Sequence, residues 1–333
     1  MALSLSALSR YSDPRGSPAL RGAISAMVGA PQERVIVTDG ASGALLLALA
    51  LVAGPGARVL LPSVGFPLFE VFARMVGAEI GWMPVRPDGT LDPEVVRAAV
   101  DPDVRAIVTC SPHNPLGGVQ TEAELRALAS LGPPLICDEV YVPLVPGAPS
   151  AVGVGGDALI VGSLSKSLAL PGLRIGWLIV PERRLDEAIA LKAALNVTTS
   201  LPSQHVALRV LEDQRAIVRA HRAWLAERRA LFVAHGRALG LDVVCPDTAP
   251  MYGLIRLPSQ QAALPTARRL AREAGVAVAP GEDFGPWSAP FLRVTFARPA
   301  STLKEGLERL GRALRTSRPY RPEPPSSHGE VTA

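Results

Sequence analysis

The sequence predicts an α/β fold: a mostly parallel sheet sandwiched by helices, followed by a smaller α+β C-terminal domain. Three observations predict it. From about residue 17 to 180, short β-rich runs alternate with stretches whose apolar residues recur at helical spacing. The runs do not alternate apolar with polar: Ala106-Ile-Val108, Leu135-Ile-Cys137 and Leu159-Ile-Val161 are apolar throughout. Such strands are covered on both faces, as in parallel sheets flanked by helices. From about residue 241 a second, shorter pattern of strands and helices begins.

Strands are expected at 34–38, 58–61, 105–109, 134–137 and 158–161, with helices at 20–28, 44–52, 66–76, 95–100 and 125–131. Two helix starts are well marked. Asp92-Pro93 sets a side-chain acceptor before a proline at the first helical position, where its missing N–H costs nothing. Thr121 and Glu124 form a capping box, each side chain satisfying an amide the helix leaves free. Residues 203–240 read as one long connecting helix. After it, 251–257, 276–278 and 291–297 read as strands, and 266–273 and 303–314 as helices. The expected organisation is an N-terminal arm (1–16), a large domain (17–202), the connecting helix (203–240), a small domain (241–316) and a Pro/Ser-rich tail (317–333). The tail lacks periodicity and is expected to be disordered.

With 333 residues, 48% hydrophobic and 19% charged, the chain can bury a sizeable core. Lys+Arg 34 against Asp+Glu 30 leaves +4 without a clustered basic face, which argues against nucleic acid as a partner. Cys110, Cys137 and Cys245 each end or follow an apolar run. An odd number of them reads as buried free thiols in a reducing compartment. The start MALSLSALSR has no basic region of a secretory signal, and the longest apolar run, 44–53, is half of a membrane span. A cytoplasmic protein without membrane association is expected. His205, His221 and His235 show no ligand pairing, so no metal is expected.

Open α/β sheets bind ligands beyond the C-terminal ends of their strands. Unusual segments stand there. The strand at 34–38 leads through Asp39 into Gly40-Ala41-Ser42-Gly43, small residues opening a helix whose amides suit an anion. The strand at 105–109 runs into Ser111-Pro-His-Asn-Pro115, that at 134–137 into Asp138-Glu-Val-Tyr141, and that at 158–161 into Ser163-Leu-Ser-Lys166. Packing does not explain an amide, a carboxylate, a phenol and an amine converging on one sheet edge. Only three lysines exist. Lys192 and Lys304 fall on amphipathic helices, where solvation accounts for them. Lys166 follows an apolar strand, where it must pair or lose its charge and become nucleophilic.

In order and spacing these segments resemble the fold-type-I pyridoxal-phosphate enzymes, and among them the class I/II aminotransferases; the resemblance covers the whole chain apart from the tail. It implies pyridoxal 5′-phosphate as cofactor, with Lys166 forming the Schiff base and then moving the proton between the substrate α-carbon and the cofactor. Asp138 would pair with the pyridine nitrogen and keep it protonated, so that the ring acts as an electron sink. Asn114 and Tyr141 would hydrogen-bond the ring oxygen. The phosphate would sit on the Gly40, Ala41 and Ser42 amides, Ser163, Ser165 and Arg174, which lies eight residues after the lysine. Phe66 stands where the family has the aromatic that stacks on the ring; its alternative reading is the start of a buried helix face. Arg293, in Phe291-Leu-Arg-Val-Thr-Phe296, would clamp the substrate α-carboxylate, with Asn114 beside it; otherwise it is a surface arginine. His113 reads as structural. Tyr11, in Tyr11-Ser-Asp-Pro-Arg-Gly16, matches the tyrosine that reaches the phosphate of the neighbouring subunit, which implies a homodimer with shared active sites.

The implied reaction is transfer of an amino group between an α-amino acid and a 2-oxo acid. A second reading is a non-transaminating pyridoxal enzyme of secondary metabolism performing β-elimination, cyclisation or oxidation, since the lysine and arginine segments also resemble arginine-derivative cyclases and oxidases. A non-catalytic ligand sensor is disfavoured because no helix-turn-helix segment precedes Tyr11 and no basic cluster appears, and a degenerate, cofactor-free protein because every cofactor-binding position is filled by a competent residue. Two departures stand out. The family usually carries a further arm before Tyr11, where this chain has ten residues, so the start codon is misassigned or the site is more open than usual. Leu116 replaces the usual threonine. No second arginine appears in 196–205, which disfavours acidic amino donors.

Overall fold

The computed structural model describes residues 8–258, 261–286 and 290–315. Seven strands form the large sheet: β1 Val35–Thr38, β2 Arg58–Pro62, β3 Glu79–Met83, β4 Val104–Cys110, β5 Leu135–Asp138, β6 Ala158–Ser163 and β7 Gly176–Ile179. Their order is β1-β7-β6-β5-β4-β2-β3. All neighbouring pairs are parallel except those of β7, which runs antiparallel to both β1 and β6. The C-terminal ends of β1, β4, β5 and β6 therefore meet at one edge, where β7 begins: Thr38 and Ser163 both pair with Gly176, and Cys110 pairs with Asp138.

The apolar runs divide between two cores, one on each face. Ile36, Val108, Ile136, Leu159, Val161 and Leu178 belong to one. Val35, Val37, Ile107, Cys137, Ile160 and Ile179 belong to the other. Successive strand residues point to opposite faces, so an unbroken apolar run fits only a sheet covered twice. The first face carries α2 Gly40–Val52, whose Leu45, Leu47 and Leu49 are fully buried and contribute about 2 kcal/mol each. The second face carries α1 Pro18–Val28, α4 Pro93–Ala99 and α5 Glu122–Ala129, through Leu20, Ile24, Val96, Leu125 and Leu128. The Asp92 cap and the Thr121–Glu124 capping box both form. Between α2 and α4 lies α3 Leu68–Met75.

After β6 come α6 Leu164–Ser167, then, beyond β7, α7 Leu185–Asn196, α8 Leu201–Leu211 and α9 Gln214–Ala238. The small domain is a four-stranded antiparallel sheet of β8 Asp242–Val244, β9 Tyr252–Arg256, β10 Ala279–Pro280 and β11 Phe291–Thr295, ordered β10-β11-β9-β8. It is flanked by α10 Ala263–Arg269 and α11 Ala300–Arg315. Gly253 lets α9 close on β9, since a Cβ there would collide with the Phe232 ring.

Several expectations are corrected. Residues 203–240 do not form one helix; α8 ends at Leu211 and α9 starts at Gln214. Leu208 and Leu211 before the break and Ile217 and Val218 after it pack on the same core, so the apolar rhythm runs through it. The strand expected at 276–278 is Ala279–Pro280. Strands β3, β7 and β8 are additions to the expected elements, whereas α7 is the helix expected around Lys192, though without an amphipathic stripe. Cys110 and Cys137 are buried free thiols, whereas Cys245 is only half-buried. The tail expected at 317–333 lies outside the described residues. No helix among the described residues is long and apolar enough to cross a membrane.

Candidate active site

At the common edge, Gly40 turns the chain from β1 into α2 with φ +76°. A Cβ on Gly40 would collide with the Arg174 guanidinium, and one on Gly176 with the Gly40 carbonyl carbon. Glycine at both positions lets the β1–α2 turn and the segment 174–176 close on one another. Arg174 is held in the left-handed region (φ +56°), its Nη1 donating to Pro171 O at 3.1 Å and its Nη2 to Asp39 O at 3.2 Å. The first turn of α2 carries no acidic residue, and Asp39, at the N-cap, makes no side-chain cap bond. The first amides of a long helix thus remain open to an anion, where the helix dipole also favours one. Two hydroxyls stand at the end of the neighbouring strand: Ser163 Oγ accepts from the Ser165 N–H at 2.9 Å and lies 2.8 Å from Ser165 Oγ.

Lys166 sits half-buried in α6, one residue after Ser165. Among the described residues its ammonium makes no hydrogen bond and has no carboxylate within ion-pair distance. Asp138 ends β5 and is buried. Burial pushes its pKa up to about 6, against the lowering effects of a hydrogen bond from Val140 N–H and of the Lys166 charge. The Val140 N–H donates to Oδ1 at 3.1 Å, and Oδ2 has no partner among the described residues. The adjacent Glu139 is spoken for: it accepts from the Ser150 hydroxyl at 2.6 Å and the Ala151 N–H at 2.5 Å, and burial pushes its pKa up to about 7.

Tyr141 is buried edge-on to Tyr252, with ring centroids 6.2 Å apart. Burial, then the neighbouring Tyr252 hydroxyl, pushes its phenol well above the usual range. Asn114 is buried in the loop after β4, and its Oδ1 accepts from Arg293 Nη1 at 2.9 Å, joining the large domain to β11 of the small one. The Arg293 guanidinium lies 4.1 Å from the Tyr252 ring centroid and 4.6 Å from that of Phe284. Two aromatic faces fix it in place. His113 is structural, as expected. Its Nδ1 accepts from Leu116 N–H at 3.3 Å, which puts the ring proton on Nε2, 2.9 Å from Val64 O. Burial holds its pKa down at about 4, so it stays neutral.

The edge therefore brings together the α2 N-terminus with Arg174, Ser163 with Ser165, Asp138 with Lys166, and Asn114 with Arg293. No hydrogen bond, ion pair or ring contact among the described residues joins Phe66 or Tyr11 to them. Phe66 meets Phe69 edge-on at 5.7 Å and lines a cavity with Trp82 and Phe284. Tyr11 is 84% exposed.

Tyr252 and Phe284 were not singled out, because their place depends on strand register and loop course. Lys192 corrects the expectation of a solvated lysine: it is 3% exposed. Its ammonium donates to Asn196 Oδ1, and Asn196 Nδ2 donates to Asp39 Oδ2. Among the described residues no group of three His, Cys, Asp or Glu side chains could hold a metal ion.

Three comparisons extend this geometry. The family model described as aminotransferase class I and II matches residues 2–310. The valine–pyruvate aminotransferase of Mycobacterium tuberculosis is 32% identical over 319 residues, covering 90% of this chain and 82% of that protein. Capreomycidine synthase of Streptomyces vinaceus is 31% identical over 317 residues, covering 90% of this chain and 80% of that one. The solved aspartate aminotransferase of Thermus thermophilus with maleate superposes with a TM-score of 0.84 at 30% identity, over 92% of this chain and 84% of that chain. With the family model matched across nearly its whole length and a lysine, an acid and an anion cradle at the shared sheet edge, the chain belongs to the class I and II aminotransferases.

Proposed function

We propose that this aminotransferase holds pyridoxal 5′-phosphate at the edge formed by β1, β4, β5 and β6, covalently through Lys166. The observation that carries the reading is the unpaired Lys166 ammonium, set between an uncapped helix N-terminus and a buried acid with a free oxygen. Three features fit the cofactor. The lack of a Cβ on Gly40 lets the Arg174 guanidinium close on the α2 N-terminus, Asp138 Oδ2 is available to a ring nitrogen, and Asn114 and Tyr141 present an amide and a phenol.

When bound, the cofactor supplies an electron sink for the charge left on the substrate α-carbon. This chain's residues do the rest. The Gly40–Ser42 amides, Ser163, Ser165 and Arg174 bind the phosphate. Asp138 holds a proton on the ring nitrogen, and this new cation in turn favours the ionised carboxylate. Asn114 and Tyr141 donate to the ring oxygen. Lys166 Nζ takes the proton from the substrate α-carbon. Arg293 binds the substrate α-carboxylate through its planar fork, already oriented by Tyr252 and Phe284.

The preferred donor is an α-amino acid without an acidic side chain, because no second arginine stands in 196–205. Phe66 stacks on the cofactor ring. Tyr11, exposed in the arm, reaches the phosphate of a second copy, so the working unit is a homodimer with shared sites in the cytoplasm. The test is a screen of amino donors against pyruvate and 2-oxoglutarate. Transfer from neutral amino acids is expected; a profile limited to one acidic amino acid would overturn the substrate class.

A further inference from the structure

An aspartate at a helix N-cap ordinarily turns its carboxylate back onto the first free amides of its own helix. Asp39 occupies that position on α2 and makes no such bond. Its Oδ2 accepts instead from Nδ2 of Asn196, the last residue of α7, and Asn196 Oδ1 accepts from the Lys192 ammonium one turn earlier. Burial depresses the Lys192 pKa, and the Asp39 charge opposes this. A lysine inside the protein, an amide bridge and an aspartate thus form a line that ends beside the cradle. The backbone carbonyl of the same Asp39 also accepts from Arg174.

Resting on the cradle reading above, we propose that Lys192 and Asn196 are positioning residues that draw the Asp39 carboxylate off the α2 N-terminus and so reserve its amides for the cofactor phosphate. Without the tether, rotation of one side chain brings the carboxylate onto the Ala41 and Ser42 N–H groups. There it competes with the phosphate for the same donors and repels its charge. Lys192, buried at the far end of the bridge, supplies the opposite charge that favours the half-buried carboxylate in its tethered position. Asp39 would thus be poised as a built-in competitor for the cofactor's own site, held aside by α7.

The test uses the full-length chain stripped of cofactor, titrated with pyridoxal 5′-phosphate, inorganic phosphate and pyridoxal. Asn196→Ala is expected to bind both phosphate-bearing probes about five- to tenfold more weakly, the size of one N-cap interaction. Its affinity for pyridoxal is expected to stay unchanged. Asn196→Leu repeats the measurement where the alanine variant folds poorly. The double variant D39A/N196A is expected to recover phosphate affinity to within twofold of wild type, because the competitor is gone. A merely structural role for Asn196 would weaken pyridoxal equally and show no rescue, and either result overturns the proposal. So does wild-type phosphate affinity in both single variants. Wild-type protein that holds pyridoxal 5′-phosphate no more tightly than pyridoxal overturns the cradle itself, and the tether with it.

Discussion

Asp138→Asn separates the cost of the site from its use. In the fold, burial lifts the Asp138 pKa from 3.8 to about 6. At about 1.4 kcal/mol for each pH unit, an ionised Asp138 costs the cofactor-free protein about 3 kcal/mol of stability. The sign follows from proton counting. Between the two pKa values the folded chain binds the extra proton, so stability falls as pH rises from about 4 to about 6 and stays low above. Asparagine keeps the acceptor for the Val140 N–H but leaves an amide NH2 without a partner, which returns about 1 kcal/mol of the gain. The variant should therefore be about 2 kcal/mol more stable than wild type at pH 8, with the gap shrinking as pH falls below 6 and reversing sign near pH 4. Glu139 contributes a pH dependence of its own to both proteins, and in wild type the Asp138 charge raises its pKa further, which adds to the gap in the same direction. The assay is urea unfolding of cofactor-stripped protein at pH 4, 6 and 8, alongside transaminase rate. The rate should fall by at least about 100-fold, since the ring nitrogen loses its counter-charge. A variant no more stable than wild type at pH 8, or a gap independent of pH, refutes the reasoning.

Replacing Arg293 with Ala should raise KM for both the amino acid and the 2-oxo acid about 10- to 100-fold, the worth of a charged hydrogen bond, while cofactor absorbance stays as in wild type; a change confined to one substrate contradicts the clamp. Gly176→Ala forces a Cβ against the Gly40 carbonyl carbon and should cost about 1–3 kcal/mol, read as a lower melting temperature together with weaker cofactor retention. An unchanged melting temperature would mean the two segments are not closed there. Mixing a Tyr11→Phe chain with a Lys166→Ala chain under subunit exchange should restore part of the lost activity, because one of the two sites in a mixed dimer is then intact. No recovery removes support for shared sites.

The large domain was legible because burial on both faces leaves an unmistakable mark: three consecutive apolar residues at 106–108, 135–137 and 159–161. The cradle, Lys166 and Asp138 were legible for a related reason, since polar or glycine-rich segments directly after such strands have nowhere to go but the sheet edge. Strand β7 escaped notice because Gly176-Trp-Leu-Ile179 is short and follows a turn-rich stretch. Yet it closes the edge, and its first residue carries the close approach to Gly40. The helix around Lys192 was legible, but its apolar residues form no clear stripe, so the burial of Lys192 and the reach of Asn196 to Asp39 were not. The pairing of Arg293 with Asn114, and its clasp by Tyr252 and Phe284, depends on how two domains meet and on strand register. One chain's residue order does not encode those distances in any local pattern.

The account turns on where the cofactor aldehyde is bonded. Purified protein treated with borohydride, digested and sequenced should yield one pyridoxyl-labelled peptide, and the modified residue should be Lys166. Label on Lys192 or Lys304, or protein that takes up no pyridoxal 5′-phosphate at all, would contradict it.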